Sequence, residues 1–509
     1  LGGPLHRARV LGPCQALLLA HAQRPRRLTA PFACVDCVPR GPSARLGVVR
    51  ARSTSAQLRA PGGAKAVSVN ANHQVPLLAS GEIPKAERWL VLGVALVAGL
   101  TAYFRLPEPV RDTLWAEDGA LFLPDAAFRR AGLLTPYAGY LHLSSRAGAQ
   151  LVLAIVPIAH VATAVTAFAC ALNGAVAGIV FFCSRGVLAN LAPRLFLAAS
   201  TVLLPLLPVE VAGNLANLHG YWLWCAFWLL LYRPTTRLQA GALSLCMFVA
   251  TLSEVQTIVL MPIALFLFHQ RRAILPRLVL FAYVLGVAAE VWAMLNSERP
   301  SAERAIPPLL AVIQLYGAQV AMPFWIVSTE RIAALLETHD YAIGLLAAAP
   351  LLLALALVLV YGDLLSRVLA VLSAGLSFGL FFVAHAMNYG RCLADAECMG
   401  GIRLLNRYGP IPELFALALV ALLLQVAQAR RSWSLGIPAG LVALPFAISA
   451  GVNFEVEEQR RYSTHAFRPQ VPAARRECRE SPEQEEVCLN ISPRRWSTCL
   501  PCSNFRRRK

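Results

Sequence analysis

The chain has 509 residues, 57% of them hydrophobic and 15% charged, with a mean hydropathy of +0.56. Apolar runs of membrane-spanning length recur from about residue 88 to about residue 452, which excludes an ordinary soluble enzyme, and they are continuous rather than alternating, which excludes a β-barrel. The net charge of +18 gathers at the two ends, with 13 Lys and Arg before Trp89 and 12 after Val452. That distribution fits membrane topology and anionic lipid, so nucleic acid is not an expected partner.

Residues 1–87 are rich in Arg, Ala, Pro and Gly, poor in acids, and contain no run long enough to span a bilayer. They read as a disordered basic extension, with a transit-peptide-like composition as the alternative. Cys34-Val35-Asp36-Cys37 has no second pair nearby, so zinc is not expected there. A first span over 88–104 leads into a long polar loop, 105–147, with a short helix over 124–131. Residues 141–156 are amphipathic enough to lie along the interface before Pro157. Further spans are expected at 158–183, 193–207, 219–232, 239–252, 256–269, 277–295, 341–361, 367–387, 410–428 and 434–452. The fold class is therefore an all-α polytopic membrane protein of about eleven spans.

Arginines fall in alternate short connections: Arg185 and Arg194, Arg233 and Arg237, Arg271, Arg272 and Arg277, Arg367, and Arg430 and Arg431. The positive-inside rule then puts the N-terminus in the cytoplasm. Reading 309–328 as a re-entrant or interfacial segment keeps every arginine loop inside and the C-terminus outside. It also puts Cys392, Cys398 and the tail cysteines Cys478, Cys488, Cys499 and Cys502 on an oxidising side, where disulfides form. Cys170, Cys183, Cys225 and Cys246 read as small buried hydrophobes.

The first outer loop carries Trp115-Ala116-Glu117-Asp118-Gly119. An adjacent pair of carboxylates can divide two tasks, one holding a divalent cation and the other taking a proton from an acceptor hydroxyl. With the topology above, Glu210 in the second outer loop, Glu254 in the third turn, and Glu290 and Glu413 near helix ends collect at that same surface. A secondary transporter keeps its coupling groups at the midplane, so this distribution favours surface chemistry over transport.

An inner N-terminus, one span, a long acidic first outer loop, interfacial helices and a bundle of about eleven spans together resemble the GT-C superfamily over residues 88–452. These are integral-membrane glycosyltransferases using polyprenyl-phosphate sugar donors. The resemblance implies that Glu117 or Asp118 is the general base for an acceptor hydroxyl on a glycan, lipid or protein. It also implies a cationic and polar site for the lipid phosphate. The candidates are Arg403, Arg407 and Tyr408 in the loop 388–409, which also holds Arg391, with His219 as a further substrate contact. If a metal takes part, Asp118 and Glu210 are the expected ligands, and oxygen donors suit Mg or Mn.

Plainer roles compete for several of these residues. Asp125 reads as a helix cap, and His142 and Arg146 as headgroup anchors. His219 with Tyr221, Trp222 and Trp224 reads as an interfacial aromatic belt. His339-Asp340 and His385 read as polar groups at helix ends. The tail holds too few apolar residues for a large core, and its four cysteines allow three disulfide connectivities. The competing functions are a lipid-linked-sugar flippase or small-solute transporter, and a non-catalytic subunit for envelope assembly.

Overall fold

The computed structural model describes residues 85–506 apart from 209, 298–305, 340–341, 391, 395–405 and 457–465. All of these belong to one compact unit, Ala71–Lys509. The expected basic extension therefore lies, up to residue 84, outside the described residues, as do Arg391, Cys398, Arg403 and Asp340.

Helices dominate, and seven of those described are long and apolar enough to cross a membrane: Ala86–Phe104, Ile158–Ser184, Ile274–Asn296, Ile343–Tyr361, Leu364–Tyr389, Pro410–Arg430 and Trp433–Val452. An eighth crossing is possible if the pair Arg237–Thr251 and Val255–Gln270, bent by 120°, counts as one. Two further expected spans form shorter helices, Leu191–Val202 and Leu218–Leu231. At 1.5 Å per residue they measure about 18 and 21 Å, short of a hydrocarbon core of about 30 Å. The stretch 309–328 forms no single span. Leu309–Tyr316 continues through a π turn and a 3₁₀ turn to Phe324, and a separate amphipathic helix, Thr329–His339, follows.

Burial sets the order of the bundle. Pro410–Arg430 is 83% buried and runs through the centre, whereas Ala86–Phe104 is 6% buried and lies at the edge. Leu218–Leu231 is apolar on every face, as a helix surrounded by others must be. Tyr221, Trp222 and Trp224 are buried, so the expected aromatic belt is instead core: Trp224 packs edge-on against Phe415 of the central helix, with centroids 5.1 Å apart. The indole of Trp222 donates to Ser144 Oγ at 2.9 Å.

The edge helix is held by small residues. A Cβ on Gly174 would lie 2.4 Å from the Ala95 carbonyl and 2.7 Å from Gly99 Cα, so the two helix backbones touch there. Glu87 closes one end of this contact, accepting from Arg194 at 2.7 Å and pairing with Arg185 at 2.9 Å. Arg105 closes the other end, by the carbonyls that end Leu191–Val202 and Trp433–Val452.

The tail builds more than its length suggested. Helix Val471–Glu480, an antiparallel hairpin of β1 (Glu486–Ile491) and β2 (Trp496–Pro501), and a last turn, Cys502–Arg506, form a cap. In β1, Val487, Leu489 and Ile491 point inward at every second position, and they join the main hydrophobic core. Leu500 is buried and Trp496 is exposed. Of the three connectivities the nested one forms, Cys478–Cys502 around Cys488–Cys499. The free cysteines Cys170, Cys183 and Cys225 are buried as expected, and Cys246 is half-buried.

This cap grips the acidic loop. Ala116 N–H donates to Ser492 O at 2.5 Å, Ser492 N–H to Leu114 O at 3.0 Å, and Phe467 N–H to Asp112 O at 2.7 Å. Ile491 packs so close to Gly119 that an added Cβ would lie 2.6 Å from its Cδ1. Closing the 24-residue loop with Cys478–Cys502 is worth roughly 3 kcal/mol to the cap. Replacing both cysteines by serine is expected to speed limited proteolysis within 471–506 and hydrogen exchange at residues 114–119 together. Faster cleavage of the tail with unchanged exchange in the loop would show that the cap does not hold it.

Candidate functional site

The two adjacent carboxylates have different environments. Asp118 opens a π turn, Asp118–Phe122, and is 0% exposed. Its Oδ1 accepts the Ala216 N–H and its Oδ2 the Leu215 N–H, both at 2.8 Å. The loop it grasps is itself knotted, since the Asn214 and Asn217 side-chain amides both donate to Glu210 O, at 2.8 and 2.6 Å. Asp118 is thus a tether between the first and second loops. Both oxygens are engaged in an enclosed place, so it neither faces an acceptor nor offers an open side to a metal.

Burial pushes the Asp118 carboxyl up to about 7, against the lowering effect of the two amides and with a further push from Glu117. The folded protein then binds more protons than the unfolded chain between about pH 4 and pH 7. Asp118 consequently contributes most stability below pH 4, loses that contribution as pH rises to 7, and adds no slope above. The expected result is that wild type loses stability relative to Asp118→Asn as pH rises over this window, a difference that removes the opposing slope of His142. Identical slopes in the two proteins would refute the assignment.

Glu117 is less enclosed. It is half-buried and forms no hydrogen bond or ion pair among the described residues. It lies in the electrostatic reach of Tyr137 and Arg407. The Tyr137 hydroxyl is pushed up by burial and by Glu117, with Arg407 opposing. For Arg407, burial works against the charge, but Tyr408, Glu210 and Glu117 outweigh it and raise the guanidinium. Its Nη2 donates to Tyr408 Oη at 3.1 Å, and its backbone N–H donates to Glu210 Oε1 at 2.9 Å. The second-loop carboxylate therefore fixes the backbone of the arginine.

A ring cluster continues from Tyr137. A tight turn, with Ala138 at φ 51° and Gly139 at φ 91°, pairs the backbones of Tyr137 and Tyr140. The imidazole of His142 lies 5.6 Å from the Tyr137 ring and 4.1 Å from that of Tyr140. His142 is buried, so it is no headgroup anchor. Burial, then His219, then Arg146 lower it to about 3, with the Tyr137 backbone opposing; it is neutral at physiological pH. His219 is 27% exposed, faces Tyr140, and pairs through Nδ1 with Glu254 Oε2. Glu254 is enclosed, and its Oε1 caps the following turn by accepting Gln256 N–H at 2.7 Å.

Several residues stand where the sequence did not put them. Asp125 does not cap its helix but pairs with Arg146 at 2.8 Å, and Arg146 is buried rather than reaching for lipid. His385 is buried, stacks on Phe381 and lies 5.8 Å from the Tyr408 ring. His339 ends the separate helix Thr329–His339. Glu413 is buried in the first turn of the central helix, and Glu290 Oε2 accepts Leu141 N–H at 3.1 Å. The structure thus brings together Glu117, Glu210, Arg407 and Tyr408, and beside them His219 with Glu254. It turns Asp118 away, and Arg403 lies outside the described residues. Tyr137, Tyr140 and His142, which the sequence reading did not group with the acidic loop, lie beside it in the fold; the Tyr-Ala-Gly-Tyr turn was the signal. Glu486, Cys488 and Cys499 also lie close together, but the two sulfurs are joined and cannot ligate a metal. No family model, curated protein or solved structure matches this chain.

Proposed function

We propose that the protein is a membrane glycosyltransferase of the GT-C type. It moves a sugar from a polyprenyl-phosphate donor to a hydroxyl of a glycan, lipid or protein acceptor, at the outer face of the cytoplasmic membrane. In this reading the seven long helices, both arms of the bent pair, and the short helices Leu191–Val202 and Leu218–Leu231 make up eleven membrane segments, with the N-terminus inside and the cap outside. The alternation of Arg105 and Glu87 contacts at opposite ends of the first helix supports that order.

The observation that carries the proposal is the uncommitted carboxylate of Glu117, held between two anchors. Asp118 ties its loop to 215–216 on one side and Ser492 ties it to the cap on the other. Glu117 accepts the proton of the acceptor hydroxyl, whose oxygen attacks the anomeric carbon of the donor sugar. The bond from that carbon to the phosphate oxygen breaks, and polyprenyl phosphate departs with the electron pair. Arg407, kept charged by its neighbours, offsets the charge that collects on the leaving phosphate. Tyr137, Tyr140 and His219 offer ring faces and polar edges for a sugar. Asp118 and Glu210 do not fit a shared divalent metal, because the first is enclosed by amides and the second holds the Arg407 backbone. No step is routed through one.

The test is transfer of radiolabelled sugar by the purified protein in proteoliposomes containing polyprenyl-phosphate sugars. Transfer that is lost in Arg407→Gln supports the reading. Absence of transfer by wild type with every donor class would return the weight to a transporter or flippase.

A further inference from the structure

A groove of about 680 Å³ lies between the turn that follows Leu123–Phe128, the interfacial helix Leu143–Ile155 and the cap. Its polar end holds Arg129, Arg475, Gln150, Ser503 and Asn504, and its apolar wall runs along Leu153, Val156, Pro157 and Ile158. None of the lining residues is acidic, and neither arginine forms an ion pair among the described residues. The Nε of Arg475 is buried with no hydrogen-bond partner. Two guanidiniums thus share a concavity with no countercharge.

The depth of the groove identifies the occupant. Ile158 is the first residue of the long apolar helix Ile158–Ser184, so the groove floor lies where hydrocarbon begins. Leu133, Leu134, Leu151 and Ile155 are exposed around it, a surface that water does not favour and acyl chains do. We propose that this groove binds the headgroup of an anionic diacyl phospholipid, with the phosphate on Arg129 and Arg475 and the first acyl carbons along Leu153–Ile158. A soluble phosphate would satisfy the arginines but leave that wall exposed. Because Arg475 belongs to the cap and Gln150 to the interfacial helix, the lipid bridges them and presses the cap towards the bilayer. This site is independent of the glycosyltransferase reading.

The experiment is thermal unfolding of the full chain in neutral detergent, titrated with phosphatidylglycerol or phosphatidylcholine. Phosphatidylglycerol is expected to raise the midpoint of wild type, and phosphatidylcholine to leave it unchanged. In Arg129→Gln/Arg475→Gln the phosphatidylglycerol concentration needed rises at least tenfold. Ser503→Trp, which keeps both charges but obstructs the groove at an exposed position, produces a similar loss. Because that variant leaves the core untouched, it decides the matter if the double variant fails to fold. An undiminished response in Ser503→Trp, or a full response of wild type to inorganic phosphate alone, would overturn the proposal.

Discussion

Arg105→Ala is expected to lower the stability of the folded protein by roughly 3–5 kcal/mol, the largest loss from any single substitution described for this chain. Arg105 is 1% exposed, and its four described hydrogen bonds all go to main-chain carbonyls. Nε reaches Phe454 O at 2.7 Å, and Nη2 reaches Leu204 O at 2.9 Å and Asn453 O at 3.1 Å, while Nη1 donates to Val202 O. These carbonyls end two helices, where the macrodipole is negative and the peptide oxygens lack intrahelical partners. Burial lowers Arg105 to about 10, with Tyr221 and Glu413 opposing, so it keeps its charge at neutral pH. Alanine would strand two buried acceptors, Val202 O and Leu204 O, and remove the donor from two part-buried ones, Asn453 O and Phe454 O. Lysine restores the charge but not the planar fork, and is expected to recover less than half of the loss. Thermal unfolding in detergent is the check; a midpoint within a degree or two of wild type for Arg105→Ala would mean that the carbonyls find other donors.

Glu117→Gln is expected to reduce sugar transfer by about 10²–10⁴-fold with little change in stability, the range associated with losing a general base. Glutamine keeps the size and the capacity to hydrogen-bond but cannot accept the acceptor's proton. No described hydrogen bond depends on this side chain, so the folded state loses only its attraction to Arg407. Asp118→Asn should behave in the opposite sense. Its Nδ2 would oppose an amide N–H that now donates to a carboxylate oxygen, so stability falls, and transfer falls with the amount of folded protein.

The contrast between these neighbours marks the limit of what the sequence could tell. Apolar run length located nearly every helix, because the bilayer fixes how many residues a span needs. It overran at 193–207, where the helix stops at Val202 and Leu206 turns to φ 49°. The acidic pair stood out in the sequence, but the different surroundings of its two carboxylates did not. Asp118 is committed to amides 97 and 98 residues away, and nothing local in Glu117-Asp118 announces which carboxylate faces inward. The same applies to Arg146, which looked like a headgroup anchor until the chain folded Asp125 beneath it. Tyr221, Trp222 and Trp224 have the composition of an interfacial belt, yet neighbouring helices bury them, Trp224 against Phe415 and Trp222 against Ser144, because composition records hydrophobicity and not which neighbour arrives. The hairpin of the cap was missed, although Val487, Leu489 and Ile491 alternate in the manner of a strand with one covered face.

The central claim is that Glu117 performs the chemistry on a scaffold that Asp118 and the cap hold still. The most direct measurement is the single-turnover rate of sugar transfer by Glu117→Gln, compared with wild type at equal amounts of folded protein in the same proteoliposomes. The account predicts a loss of at least a hundredfold at an unchanged thermal midpoint. Equal rates in the two proteins would contradict it.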